Sequence, residues 1–276
     1  MAGGVSMATG TARPKQNRYS AIIEKIFLAH FKPGVAQFEF AREEIVAVAR
    51  KLKIELPKNL GDVIYSFRYR TAFPQSIVEK APKGLEWVIR PSGKALYTFA
   101  AVSEPRIVPS ALLGETKIPD ATPGIIAKYA LTDEQALLAR VRYNRLIDIF
   151  TGVACHSLQS HLRTTVKDMG QVETDEIYVG IDRRGAQHVF PVQAKGGNDN
   201  LGIVQIEQDF ALCAAKFPGL ICMPIATQFM VDDVIAMFAF EQTPEGVRVS
   251  FEKHYRLVAP DQVSDKDLAA YRNRID

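Results

Sequence analysis

The sequence predicts an α/β protein built as two modules, and three observations carry that prediction. Apolar residues recur at helical spacing from Tyr19 to Phe67 and give way to a two-strand pattern that ends at Val102. Prolines at 105, 109, 119 and 123 then interrupt both periods. Past them, helical stretches flank a strict alternation at Ile177, Val179 and Ile181, and the near-continuous apolar run 220–226 suits a buried central strand.

Composition sets the outer bounds. The chain has 276 residues, which by the usual domain size suggests two domains. It is 47% hydrophobic and 24% charged, which excludes a wholly disordered chain. No apolar run approaches the ~20 residues of a membrane helix, so no membrane partner is expected. Residues 1–17 are small and polar with no apolar stretch; they are expected to be a disordered tail, not a signal peptide. Cys155, Cys213 and Cys222 are odd in number and form no CxxC pair. That argues against a disulfide framework or a structural zinc site, and for reduced thiols in a cytoplasmic protein. Charge is unevenly spread. Residues 1–100 hold 16 Lys and Arg against 8 Asp and Glu, whereas the remainder holds 18 against 23. A basic first third suggests a module that meets a polyanion.

In the first module, residues 18–102, Tyr19, Ile22, Ile23, Ile26, Phe27 and His30 share one helix face, and Pro33-Gly34 ends that helix. A second helix is expected from about Arg42 to Lys53, with Ile45, Val48, Ala49 and Leu52 inward. Asn59 is a good N-cap for a third, whose apolar face is Leu60, Val63, Ile64 and Phe67. Residues 85–90 and 95–102 read as strands around the turn Pro91-Ser92-Gly93-Lys94. Three short helices followed by a hairpin resemble a small winged helix-turn-helix domain, through element order alone. The resemblance implies a third helix in the major groove and a wing on phosphates. Tyr65, Arg68, Tyr69 and Arg70 lie on or just past that helix, and Arg90 and Lys94 flank the wing turn. Arg can read guanine edges, and Lys supplies phosphate charge.

Residues 103–132 hold the four prolines with Gly114 and Gly124 and are expected to be a Pro-rich linker lying along a surface. In the second module, residues 133–276, Thr132 opens a capping box. The helix after it carries Leu138, Val141, Ile149 and Phe150 inward and Arg140, Arg142 and Arg145 outward, with Gly152 as its interruption. A second helix is expected from about Cys155 to Val166, from the spacing of Leu158, Leu162 and Val166; it would carry His156 and His161. A hairpin follows: a strand through Ile181, a turn at 183–186, and a return strand 187–195 ending in Gln193-Ala194-Lys195 before Gly196-Gly197. Carboxylates at its start, Glu173, Asp175 and Glu176, would meet Gln193 and Lys195 at its end. A helix past 200, a strand at 220–226 disturbed by Pro224, and a final hairpin of 234–240 with 247–251 complete the module.

Here the sequence resembles the PD-(D/E)xK nuclease superfamily, whose signature is an acid at the head of one strand and an acid-x-Lys triplet at the tail of the next. Asp175 matches the acid. Gln193-Ala194-Lys195 matches the triplet with Gln in the acidic place, similar to the Mrr-type branch. The resemblance covers about residues 133–230. It implies a restriction-endonuclease-like mixed β-sheet core flanked by helices. It also implies a Mg²⁺ ion held by Asp175, Gln193 and one of Glu176 or Glu173, with Lys195 acting on the attacking water or the phosphate. Gln205, on the following helix, would support the site. Strand register decides which Glu joins, since a one-residue slip reverses the face.

The expected function is a Mg²⁺-dependent endodeoxyribonuclease, of the site-specific restriction type, that hydrolyses double-stranded DNA. Symmetric cutting of a duplex would make it a homodimer. Two alternatives stand beside it: a DNA-binding regulator with an inactive nuclease fold, and a structure-specific repair or junction nuclease.

Overall fold

The computed structural model describes residues 18–69, 71–103, 105–129, 134–167, 169–196, 201–244 and 246–274. The expected tail 1–17, Arg70 and the capping pair Thr132-Asp133 lie outside the described residues.

The first module runs α1 (Ser20–His30), β1 (Gln37–Ala41), α2 (Arg42–Leu52), α3 (Gly61–Tyr69), α4 (Gln75–Val78), β2 (Glu86–Pro91) and β3 (Leu96–Val102). The α1 stripe buries Ile22, Ile23, Ile26 and Phe27. Phe27 stands edge-on to Phe38, Trp87 and Phe99 with ring centroids 5.1–5.3 Å apart, an arrangement aromatic quadrupoles favour. Asn59 caps α3: its Oδ1 accepts the Gly61 N–H at 3.1 Å and its Nδ2 donates to Asp62 at 2.8 Å. Beyond the expected elements, Phe38 and Phe40 lie on β1, which pairs with β3 to give an antiparallel sheet of order β1-β3-β2.

The expected linker carries β4 (Arg106–Ile107), β5 (Glu115–Pro119) and α5 (Gly124–Tyr129). It is partly sheet: β5 pairs parallel to the last long strand of the second module. An edge is where a Pro-flanked strand is tolerated.

The second module runs α6 (Glu134–Tyr143), α7 (Leu146–Thr151), β6 (Ala154–Val166), β7 (Gly170–Ile181), β8 (Gln187–Lys195), β9 (Leu201–Gly202), α8 (Ile203–Lys216), β10 (Ile221–Cys222), β11 (Ile225–Phe229), β12 (Val234–Thr243), β13 (Gly246–Val258) and α9 (Asp265–Arg272). The result is a mixed sheet of order β5-β13-β12-β11-β8-β7-β6, with β10 on β8. β6, β7 and β8 form an antiparallel meander; α8 then carries the chain to β11, parallel to β8. Helices cover both faces. Leu137, Leu138, Val141 and Phe150 pack over Phe190, Val192 and Ile225 on one side. On the other, Leu212 and Cys213 lie against Ile177 and Val189. Pro224 splits the apolar run into β10 and β11, as a residue without an N–H requires.

Two sequence expectations are corrected here. Residues 154–166 form strand β6, not a helix. Leu158 is more than half exposed, so the i, i+4, i+8 spacing never met a core, and the β-branched Thr164-Thr165-Val166 suits the edge strand actually formed. Ile149 is exposed because Arg145, in the left-handed region, ends one helix and starts another in a new phase. Leu146 and Ile147 are buried in its place, and Gly152 caps the end of α7.

The modules are docked, not tethered. Val88 of β2 and Val102 of β3 pack on Val204, Ile206 and Phe238, and β4 pairs with β9. Among the described residues no helix is long and apolar enough to cross a membrane.

Gly180 marks a close approach within the meander: a Cβ there would meet Val153 Cγ1 at 2.7 Å and the Ala154 carbonyl oxygen at 2.9 Å. Gly180→Ala is expected to destabilise the protein by about 1–3 kcal/mol. Urea unfolding should show a lower midpoint at unchanged slope; an unaltered midpoint would refute this packing.

Candidate active site

The β7–β8 ladder pairs Ile181 with Gln187 at one end and Glu176 with Val192 at the other. Past that last pair, side chains continue the connection. The Asp175 carboxylate accepts the Ala194 N–H at 2.8 Å, and Thr174 Oγ1 donates to the Val192 carbonyl at 3.2 Å. One residue on, Gln193 is buried under α8, with its Nε2 3.1 Å from both oxygens of Asp209 and 3.2 Å from the Glu173 carbonyl. Lys195 ends the strand, and its Nζ reaches Glu134 Oε1 at 3.0 Å, in the first turn of α6.

These groups tune one another. Burial raises the Asp175 pKa; the Ala194 N–H and the Lys195 charge pull against it, and the Glu134 charge pushes with it. Burial holds the Asp209 carboxyl well above the usual carboxylate range, with its side-chain hydrogen bonds to Gln193 and Thr174 opposing. For Lys195 burial works against the ammonium, but Glu134, then Asp175 and Tyr65, outweigh it, so its pKa is raised and it stays charged at neutral pH.

The site lies on a cleft of about 1000 Å³ between the two modules. Asp175, Gln193, Lys195 and Gln205 line it from the second module, and Tyr65, Arg68 and Lys94 from the first. The structure therefore brings these seven expected residues to one place. Gln205 also accepts the Gly202 N–H at 3.4 Å, fixing the start of α8.

Two expected residues stand elsewhere. Glu176 is not in the cleft: strand alternation turns it to the α6 face, fully buried, where Arg142 pairs with it at 2.7 Å and Ser157 donates to it at 2.6 Å. Register thus leaves Glu173 as the cleft-side Glu, paired with Arg163 at 2.9 Å. Arg90 is turned to α8, where its Nε donates to Glu207 at 2.7 Å across the module boundary. Arg70 and the Tyr69 side chain are outside the described residues. Of the two histidines, His161 lines the cleft, 4.0 Å from Glu173, and His156 lines a separate cavity beside Arg142 and Ser157.

Sequence reasoning missed Glu134, Asp209 and Arg42. Glu134 sits 61 residues from its partner, so only the fold could join them. Asp209 had a readable signal: it falls at i+3 from Ile206 and four residues before Cys213, in the apolar phase of α8. Among the described residues no group of three or more His, Cys, Asp and Glu side chains is arranged to hold a metal ion. No family model matches the chain, and no curated protein or solved structure matches it either.

The raised Asp209 pKa makes a linkage prediction. Above about pH 4 the unfolded chain ionises this group while the folded chain keeps its proton, so wild-type stability falls as pH rises toward the folded pKa. Asp209→Asn removes that loss. Its stability relative to wild type should climb as pH rises above about 4 in parallel urea titrations; a constant difference would refute the assignment.

Proposed function

We propose that the protein is a Mg²⁺-dependent DNA phosphodiesterase of the endonuclease type, with its centre at the end of β7 and β8. The observation that carries this reading is the convergence of Asp175, Gln193 and Lys195 at one end of a hairpin, on the floor of a cleft whose opposite wall bears Arg42, Arg68 and Lys94. The order of helices and strands around that hairpin also agrees with the nuclease-like core, and that of the first module with a winged helix. Cations placed against a polyanion supply affinity without reading sequence.

The residues present fit a Mg²⁺ ion that keeps several of its waters. Asp175 has a carboxylate oxygen beyond the one held by Ala194, Gln193 has an amide oxygen once its nitrogen is bound to Asp209, and both are hard ligands. The Glu134 charge raises the cost of ionising Asp175, a repulsion that a cation would relieve. When bound, the ion would supply Lewis acidity toward the phosphate and acidify a bound water.

The side chains do the rest. Lys195, held by Glu134 and charged at neutral pH, donates to the phosphate oxygens as negative charge builds there. In that state it cannot take a proton, so its part is electrostatic. The Asp209–Gln193 pair fixes the Gln193 amide, and the Ala194 N–H fixes the Asp175 carboxylate. Both are then oriented before substrate arrives. In the hydrolysis itself a water oxygen bonds to phosphorus as the ester P–O bond breaks; the water gives one proton to solvent and the leaving oxygen takes one from solvent, which leaves a phosphate monoester and a free hydroxyl.

A non-enzymatic DNA-binding regulator is the second reading, favoured by the lack of a three-acid cluster among the described residues. One experiment separates them. Single-stranded circular DNA and supercoiled plasmid are incubated with the protein in Mg²⁺ and in EDTA, beside Lys195→Ala. Cleavage should require Mg²⁺ and fall by about 100-fold or more in the variant. Equal cleavage by Lys195→Ala would sink the assignment, and DNA binding without any cleavage would select the regulator.

A further inference from the structure

We propose that the cleft takes one DNA strand at a time, with a base against Tyr65, the backbone along Arg42, Arg68 and Lys94, and the scissile phosphate at Asp175 and Lys195. This rests on the phosphodiesterase reading and names the substrate class of that same site.

Size is the first argument. The cleft holds about 1000 Å³, enough for roughly three groups of nucleotide size if each takes on the order of 300 Å³. The second argument is arrangement. Tyr65 on α3 and Lys195 at the end of β8 line the same cleft, one from each module.

The docking of the two modules fixes the walls of the cleft. Arg90 and Glu207 pair across the boundary, with the Glu207 side chain mostly buried, and Val88 and Val102 pack on the α8 side of the sheet.

The lining points the same way. Arg42 Nε and one terminal nitrogen of Arg68 are buried with no hydrogen-bond partner among the described residues, and both residues line the cleft. Buried guanidinium donors without acceptors match phosphate oxygens. Tyr65 is half-exposed within the same wall, and an aromatic ring beside a cationic groove is the usual platform for unpaired bases. A single strand needs one site per cut, so the dimer expected for symmetric duplex cutting is not required.

The test is fluorescence anisotropy on the full chain in EDTA, with a labelled 20-nucleotide single strand and the corresponding blunt duplex at equal salt. The single strand should bind at least tenfold more tightly. Tyr65→Ala should weaken that binding by about tenfold, and Tyr65→Phe, which keeps the ring, should restore it. Duplex binding as tight as single-strand binding, or no response to Tyr65→Ala, would overturn the proposal. Adding Mg²⁺ separates it from the function it rests on. Preferred single-strand binding with no cleavage removes the enzyme but leaves the strand specificity. Equal cleavage of both substrates leaves the enzyme and removes the specificity.

Discussion

The hydrogen bond from the Ala194 N–H to the Asp175 carboxylate is the contact on which the site depends. Regular pairing between β7 and β8 stops at Glu176 and Val192, so the next residues of β7 are released from the ladder. The carboxylate takes over the role of a backbone acceptor and pins the strand end. That holds the carboxylate in the cleft that Gln193 and Lys195 also line. A shift of one residue in this register would exchange Asp175 for Glu176 and place Gln193 on the wrong face. Glu176 shows what the other face does with a carboxylate: it is sealed by Arg142 and Ser157, outside the cleft.

Around that contact the fold spends buried polar groups that a purely structural sheet would avoid. Asp209 is fully enclosed, and its carboxyl is pushed well up by burial. Gln193 is held by it, and Lys195 is kept charged by Glu134 despite its own burial. Buried titratable neighbours displaced in this way cluster at functional sites. The docking of the first module adds the second constraint. Arg90 joins the module boundary, and Arg42, Arg68 and Lys94 remain as the cationic wall of the cleft.

How much was legible depended on how local the signal was. Alternation at Ile177, Val179 and Ile181 and the Gln193-Ala194-Lys195 triplet identified the hairpin, because period-2 patterning is a property of adjacent residues. The stripe of α1 and the Asn59 cap were readable for the same reason. Leu158, Leu162 and Val166 misled, since a spacing of four says nothing about whether a core lies opposite. Arg90 misled too: its partner Glu207 is 117 residues away, and a free-looking wing cation is indistinguishable in sequence from a paired one. Glu134 and Arg42 reach the site only through the packing of α6 and of the first module, which no local pattern encodes.

The central claim is that the end of the β7–β8 hairpin is a divalent-cation site, and Mn²⁺ binding followed by electron paramagnetic resonance tests it most directly. The account predicts one bound Mn²⁺ per chain, displaced by Mg²⁺, with binding abolished in Asp175→Asn and retained in Glu176→Gln. Binding that survives Asp175→Asn, or that is lost equally in Glu176→Gln, would contradict it.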